Sequence, residues 1–222
     1  MRIAKYIANS GICSRRDAEK KILAGAVKIN DIIIDSPAIN VFDDDKVLVD
    51  GQIIELNQPR LWLYYKPVGL ITTHKDPQNR PTIFDSLPKT MPRVISVGRL
   101  DFNSEGLLLL TNSGDLAHSF ENPANKITRC YKVKVFGYGP DISLQNKLLV
   151  IDGIRYHPKL IQKMDHISQD KMTHWYFVKL EEGKNREIRK IFDHYGYRVI
   201  KLIRTNFGQY NLDNLKPGEI KK

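Results

Sequence analysis

Val97-Gly98-Arg99-Leu100-Asp101-Phe102-Asn103-Ser104-Glu105-Gly106-Leu107-Leu108-Leu109-Leu110 is the stretch around which the fold is read. Residues 94–97 and 107–110 are apolar runs of the length expected for buried strands. The polar connection between them ends in Gly106. It holds one carboxylate, Asp101, on a loop braced from both sides. An Asp with an Arg two residues before it suits nucleophilic chemistry in a basic cleft. Asp, Asn, Ser and Gly also build ordinary surface turns, and spacing alone favours that plainer reading.

Working outward, residues 61–65 and 70–73 are strand candidates, separated by Lys66-Pro67-Val68-Gly69. Residues 76–82 form a turn-rich loop. Lys66 and Arg80 read as surface charge. Tyr131, Val133 and Val135 alternate with Lys132 and Lys134, the pattern of a half-buried strand with Tyr131 on the core side. Such a tyrosine is a core residue or, where its ring lines a pocket, a stacking partner for a base. Residues 175–180 form another strand, followed by a turn at 181–183. Asn185 is a candidate cap for a helix carrying Ile188, Ile191, Phe192 and Tyr195 at helical spacing, ended by Gly196. Residues 184–204 hold seven Lys/Arg against two Asp/Glu. This basic segment leads into a strand at 199–203 and would line a phosphate-binding cleft or form a solvated face. Strands and helices alternate without a βαβ rhythm. The fold class is therefore α+β, with a mixed, mainly antiparallel sheet and flanking helices.

The chain has 222 residues, 41% of them hydrophobic, enough for one ordinary core and a small second domain. Its formal charge of +10 favours polyanionic partners, nucleic acid first. Residues 1–60 are neutral, with nine Lys/Arg and nine Asp/Glu, but residues 1–30 carry +5 and residues 31–60 carry −5. A basic face can hide in that neutral total. Two cysteines, Cys13 and Cys130, have no ligand spacing, so a disulfide framework or zinc ribbon is not expected. No apolar run approaches a membrane span, and the first residues lack a signal-peptide core. Cytoplasmic location is the expectation. Neither GxGxxG nor GxxxxGK[ST] occurs, and there is no HExxH. The histidines at 74, 118, 157, 166, 174 and 194 form no nucleophile–base motif.

At the N-terminus, Ser14 caps a helix that opens Ser14-Arg15-Arg16-Asp17, with Ala18 and Ile22 inward and Gly25 at its end. A shorter helix over residues 2–10 precedes it, stopped by Gly11. Residues 27–34 read as a hairpin around Asn30-Asp31, and residues 46–55 as a second strand pair around Asp50-Gly51. Residues 56–60 read as a linker with Pro59. The series Arg2-Ile3-Ala4-Lys5-Tyr6-Ile7, Gly11, Ser14-Arg15-Arg16-Asp17-Ala18, Ile22, Gly25 and Val27-Lys28-Ile29-Asn30 resembles an S4 RNA-binding module. The resemblance implies structured-RNA binding through Ser14, Arg15, Arg16 and Lys20.

The larger part resembles the RsuA/RluB/RluE/RluF family of ribosomal RNA pseudouridine synthases. The matching segments are Tyr65-Lys66-Pro67-Val68-Gly69, Arg80-Pro81-Thr82, Gly98-Arg99-Leu100-Asp101 with Glu105-Gly106-Leu107-Leu108, Arg129-Cys130-Tyr131-Lys132-Val133, residues 182–190, and Leu202-Ile203-Arg204. With the S4-like module they run in family order along nearly the whole chain. The resemblance implies an N-terminal domain at 1–58 and a catalytic domain at 59–222. It matches Asp101 to the catalytic aspartate, Tyr131 to the tyrosine against the target uracil, and Arg189 to the arginine that pairs with the carboxylate. Leu202 matches an apolar residue beside the base. Arg99 would displace the target base or hold a phosphate, and Lys66 and Arg186 belong to the cationic surround. The reaction is an isomerisation, so no cofactor or metal is required.

The implied substrate is ribosomal RNA or a ribosomal precursor particle. The segment from Tyr64 to Asp85 is closest to the large-subunit branch, with a small-subunit uridine as the alternative. No membrane partner is expected, and a monomer is the default. Two other classes remain: a non-catalytic ribosome-assembly factor, and a glycoside hydrolase using Asp101 and Glu105, whose carboxyls would have to stand at least ~5 Å apart across one cleft.

Overall fold

The computed structural model describes residues 1–164 and 172–222, which leaves His166 outside the described residues. The chain divides into two compact units. One comprises Met1–Leu61, Pro88–Ile95 and Thr111–Leu116; the other comprises Trp62–Leu87, Ser96–Leu110 and Ala117–Lys222. No helix among the described residues is long and apolar enough to cross a membrane.

In the first unit, α1 (Ile3–Asn9) and α2 (Arg15–Leu23) precede the short strands β1 (Val27–Ile29), β2 (Ile32–Ile33), β3 (Val47–Val49) and β4 (Gln52–Ile53). Helix α2 starts where the local chemistry dictates: the Asp17 amide donates to Ser14 Oγ at 3.1 Å, while the Ser14 hydroxyl donates to Asp17 Oδ2 at 2.6 Å. Ala18 and Ile22 are fully buried, and Gly25 ends the helix with φ +70°. The strands pair antiparallel in the order β2-β1-β3-β4. Asn30 and Asp31, both left-handed, make the tight turn between β1 and β2. Ile32 and Ile33 are exposed on the outer strand, and only Ile34 turns into the core. Residues 56–60, read as a linker, are exposed and form no helix or strand, and side-chain amides tie them at two points. Asn57 Nδ2 donates to the Ser10 carbonyl (2.6 Å) and Asn112 Nδ2 donates to the Gln58 carbonyl (2.9 Å), because the amide side chains find acceptors that Pro59 does not interrupt.

The second unit is built on one sheet. Its strands are β5 (Leu61–Lys66), β6 (Ile95–Val97), β7 (Glu105–Thr111), β8 (Arg129–Phe136), β9 (Leu144–Gln145), β12 (Leu160–Lys163), β13 (Thr173–Leu180), β14 (Arg198–Phe207), β15 (Tyr210–Asn211) and β16 (Ile220–Lys221). A separate hairpin joins β10 (Leu149–Ile151) and β11 (Ile154–Tyr156). The main order is β16-β5-β7-β14-β8-β13-β12-β9. β7 and β14 are parallel; β14–β8, β8–β13, β13–β12, β12–β9 and β5–β16 are antiparallel. The mixed, mainly antiparallel sheet of an α+β fold is therefore present. Every residue of β7 is buried, as its unbroken apolar run requires.

Helix α3 (Gly114–Glu121) follows β7. Helix α4 (Glu187–His194) lays Ile188, Ile191 and Phe192 on the core, with the Phe192 ring 5.0 Å from that of Tyr176. Burying Ile191 and Phe192 completely contributes roughly 1.5–3 kcal/mol each. Three expectations are corrected. Residues 70–73 form no strand but a single parallel bridge, Ile71 to Thr82, in which the Ile71 amide donates to the Pro81 carbonyl (3.0 Å) and the Ile83 amide to the Ile71 carbonyl (2.9 Å), while Pro81 has no N–H with which to extend the pairing. The connection does not end at Gly106, because β7 already begins at Glu105. Asn185 does not cap α4: Arg186 stands at that position in a left-handed conformation, and the Glu187 carboxylate reaches back to accept the Lys184 amide at 3.1 Å.

Candidate active site

Glycine at 106 is what allows the sheet to close here. A Cβ at this position, where φ is +107°, would sit 2.3 Å from the Arg204 carbonyl oxygen. The absence of a side chain lets β14 lie in register against β7. One cross-strand row then runs Gly106, Arg204, Tyr131, Val178 over four neighbouring strands. Asp101 lies five residues before the start of that row, on the turn between β6 and β7.

The turn is fixed through its backbone. The carbonyl of Asp101 accepts from the Ser104 amide (3.0 Å) and from Lys66 Nζ (3.1 Å). That of Phe102 accepts from the Gly69 amide (2.9 Å), that of Asn103 from Arg189 Nη2 (2.9 Å), and that of Ser104 from Lys66 Nζ (2.8 Å). Leu100, buried, exchanges hydrogen bonds with Thr72 Oγ1. Four successive carbonyls are thus held while the side chains of Asp101, Phe102 and Asn103 stay exposed.

Lys66 is the correction with most consequence. Expected as surface charge, it is fully buried, and its ammonium donates to the carbonyls of Pro67, Asp101 and Ser104, so it braces the turn. Burial pulls its pKa down to about 8, although Asp101 and Glu105 work in the opposite direction. A signal was present: Trp62, Tyr64 and Lys66 follow the period-two face of β5, and all three are buried.

Two guanidiniums stand by the carboxylate. Arg186 Nη1 is 4.0 Å from Asp101 Oδ2, both side chains being about half exposed. Arg189, matched by the resemblance to the partner of the carboxylate, makes no ion pair with it. It donates instead to the carbonyls of Val199 (3.1 Å) and Asn103 (2.9 Å). Its pKa is lowered by burial first and then by Arg186, with the Asp101 charge opposing.

Tyr131 and Leu202 are buried on adjacent strands, Tyr131 as its alternation with Lys132 and Lys134 predicts. Arg99 is exposed at the head of the turn. In the first unit Arg15, Arg16 and Lys20 are exposed, but the Ser14 hydroxyl is committed to the start of α2 rather than free for a ligand.

Two groups have partners that the sequence did not indicate. Glu105, nearly buried, accepts from Tyr65 OH (3.2 Å) and pairs with Lys201 (3.1 Å); burial and the Glu105 charge push the Tyr65 phenol up to about 12. Arg204, almost wholly buried on the Leu202 face of β14, donates from Nε to the Leu107 carbonyl (2.7 Å) and lies within reach of the Tyr131 hydroxyl. Burial lowers its pKa, with the Tyr131 interaction opposing. Arg189 Nε and Arg204 Nη2 are buried without a partner. Each unpaired donor costs about 1–3 kcal/mol, a cost that functional sites tolerate more readily than ordinary cores.

Comparison with known proteins identifies the family and the fold. The profile of the RNA pseudouridylate synthase family matches residues 60–194, and that of the S4 domain matches residues 1–42. A Rickettsia felis protein named an uncharacterized RNA pseudouridine synthase is 56% identical over 100% of this chain and 96% of its own. The ribosomal large subunit pseudouridine synthase B of Haemophilus influenzae is 38% identical over 95% of this chain and 61% of its own. A crystal structure of a pseudouridylate synthase aligns over 100% of this chain and 95% of its own with a TM-score of 0.65 at 24% identity, which speaks to the fold. The chain belongs to the RNA pseudouridylate synthase family, isomerases that act on uridine in RNA, and carries an S4 domain at its N-terminus.

Proposed function

We propose that this chain converts a uridine of large-subunit ribosomal RNA to pseudouridine, with Asp101 as the reacting carboxylate. The observation that carries the reading is the turn itself: its backbone is immobilised at four carbonyls while the Asp101 side chain stands open beside Arg186. The large-subunit assignment draws on relatives named ribosomal large subunit pseudouridine synthase B, 34–38% identical to this chain.

The reaction breaks the N1–C1′ bond, turns the ring and joins C5 to C1′; the C5 hydrogen leaves as a proton and N1 gains one. The product is an isomer, so a carboxylate in a basic recess supplies what the chemistry asks for. The Arg186 charge favours the ionised form of Asp101. Extruding the target base costs a few kcal/mol, which the Tyr131 ring and Leu202 offset in part by packing on it. Arg99 displaces the base or holds a phosphate, and Arg189 acts on the carboxylate through the turn it fixes. Residues 1–58 grip RNA through Arg15, Arg16 and Lys20, and residues 59–222 carry the chemistry. The enzyme works in the cytoplasm on ribosomal RNA or a precursor particle.

Site-resolved pseudouridine mapping of both ribosomal RNAs, with and without the protein, is the test. One large-subunit uridine should lose its modification without the protein and with Asp101→Asn. A modification restored at full rate by the asparagine protein removes Asp101 from the chemistry, and a lost site in the small-subunit RNA instead moves the substrate.

A further inference from the structure

We infer that the ring of Phe102 is a stacking platform for the RNA base next to the target uridine. This rests on the reading that the turn carrying Asp101 faces the target nucleotide. Phe102 is the residue after Asp101 and leaves 44% of its surface in solvent. Val68, 56% exposed, belongs to the neighbouring loop, whose Gly69 amide holds the Phe102 carbonyl at 2.9 Å. An aromatic ring is thus kept in the open on backbone that cannot fold it away. Docking against it orders nothing further in the protein.

The surroundings decide what docks. Asp101, the residue before Phe102, has the Arg186 guanidinium 4.0 Å from its carboxylate, and Arg99 stands exposed three residues before the ring. A lipid surface or an apolar protein face would strip water from these charges without pairing them, which is costly. A nucleotide matches the whole set, because its base offers a flat π-face to the phenyl ring and its phosphate a charge to the guanidiniums. Consecutive Cα atoms lie 3.8 Å apart. A ring one residue from Asp101 therefore meets a neighbour of the base that Asp101 attacks. Stacking reads every base, so this subsite adds affinity and holds the strand open without choosing sequence.

The test uses the full-length protein and a large-subunit rRNA transcript labelled with [5-³H]uridine, from which pseudouridine formation releases tritium. Phe102→Ala and Phe102→Leu should each lower kcat/KM roughly 5- to 150-fold, the span that loss of one base–aromatic stack gives, while Phe102→Tyr and Phe102→Trp stay within about twofold. Thermal midpoints should be unchanged, since the side chain is exposed. Full activity in the leucine protein would show that bulk alone suffices and overturn the inference. A second readout does not need turnover: in an Asp101→Asn background, Phe102→Trp fluorescence should be quenched by the transcript beyond the quenching of the two native tryptophans. No added quenching overturns the stacking. Concentration-dependent self-association abolished by Phe102→Ala would instead assign the ring to a second copy of the chain and overturn it too. Absence of tritium release with the unsubstituted protein, alongside intact quenching, would count against the proposed reaction and not against the platform.

Discussion

Lys66→Met separates a brace from an RNA contact. Methionine matches the length of the lysine stem and deletes its charge. The Asp101 carbonyl keeps the Ser104 amide, but the Pro67 and Ser104 carbonyls each lose the ammonium that now reaches them at 2.8–2.9 Å. Two buried acceptors left without that donor cost about 2–6 kcal/mol together. Against this stands the charge itself. Its pKa falls from 10.5 to about 8, equivalent to about 3 kcal/mol of penalty at neutral pH, which methionine relieves. The net effect on global stability is therefore small, between about 1 kcal/mol gained and about 3 kcal/mol lost, and is measured as a urea midpoint.

Activity should respond much more strongly. The turn that presents Asp101 loses two of its holds, and a displacement of ~1 Å at a reacting group costs about 100-fold. Single-turnover tritium release at saturating RNA should fall by about that factor with binding nearly unchanged. A variant whose rate recovers fully when RNA is raised would mean that Lys66 contacts the substrate after all. One that keeps its single-turnover rate within threefold would mean that the turn needs no brace.

Three further predictions concern the scaffold. Burial and the neighbouring Glu182 hold the Glu187 carboxyl up at about 8, so its stabilising contribution is complete below the ordinary value of 4.5 and is lost as pH rises through 8. Glu187→Gln should therefore raise the thermal midpoint at pH 8–9 and leave it unchanged near pH 4. Gly106→Ala forces a Cβ to 2.3 Å from the Arg204 carbonyl at φ +107° and should cost about 2–5 kcal/mol in denaturant titration. Ser14→Ala removes the cap of α2 and should cost about 1 kcal/mol, seen as faster amide exchange in α2 with no change in the amides of β14.

What the sequence made legible was mostly local. The Ser14–Asp17 box, Gly25, the Asn30-Asp31 turn and the apolar run of β7 each carry their own signal within a few residues. Tyr131 was readable from alternation, and Leu202 from the family resemblance alone. Contacts set by distant strands were not. Lys66 looked like surface charge because lysines usually are, although the alternation of β5 pointed inward. Arg189 was matched to the carboxylate, yet its donors go to carbonyls, and Arg186 stands nearer through a left-handed backbone that no spacing rule foretells. The role of Glu105 depends on Lys201 and Tyr65, and that of Arg204 on Leu107, partners 40 to 97 residues away in the chain.

The fourfold anchoring of the 101–104 backbone has one more outcome. A catalytic rim that cannot yield leaves all adaptation to the polynucleotide, so strands that are already loosely paired around the uridine enter at the lowest cost. Under the proposed function, choice among uridines would follow how readily each one's helix gives way, and an RNA incompletely folded around its uridine would be the better substrate.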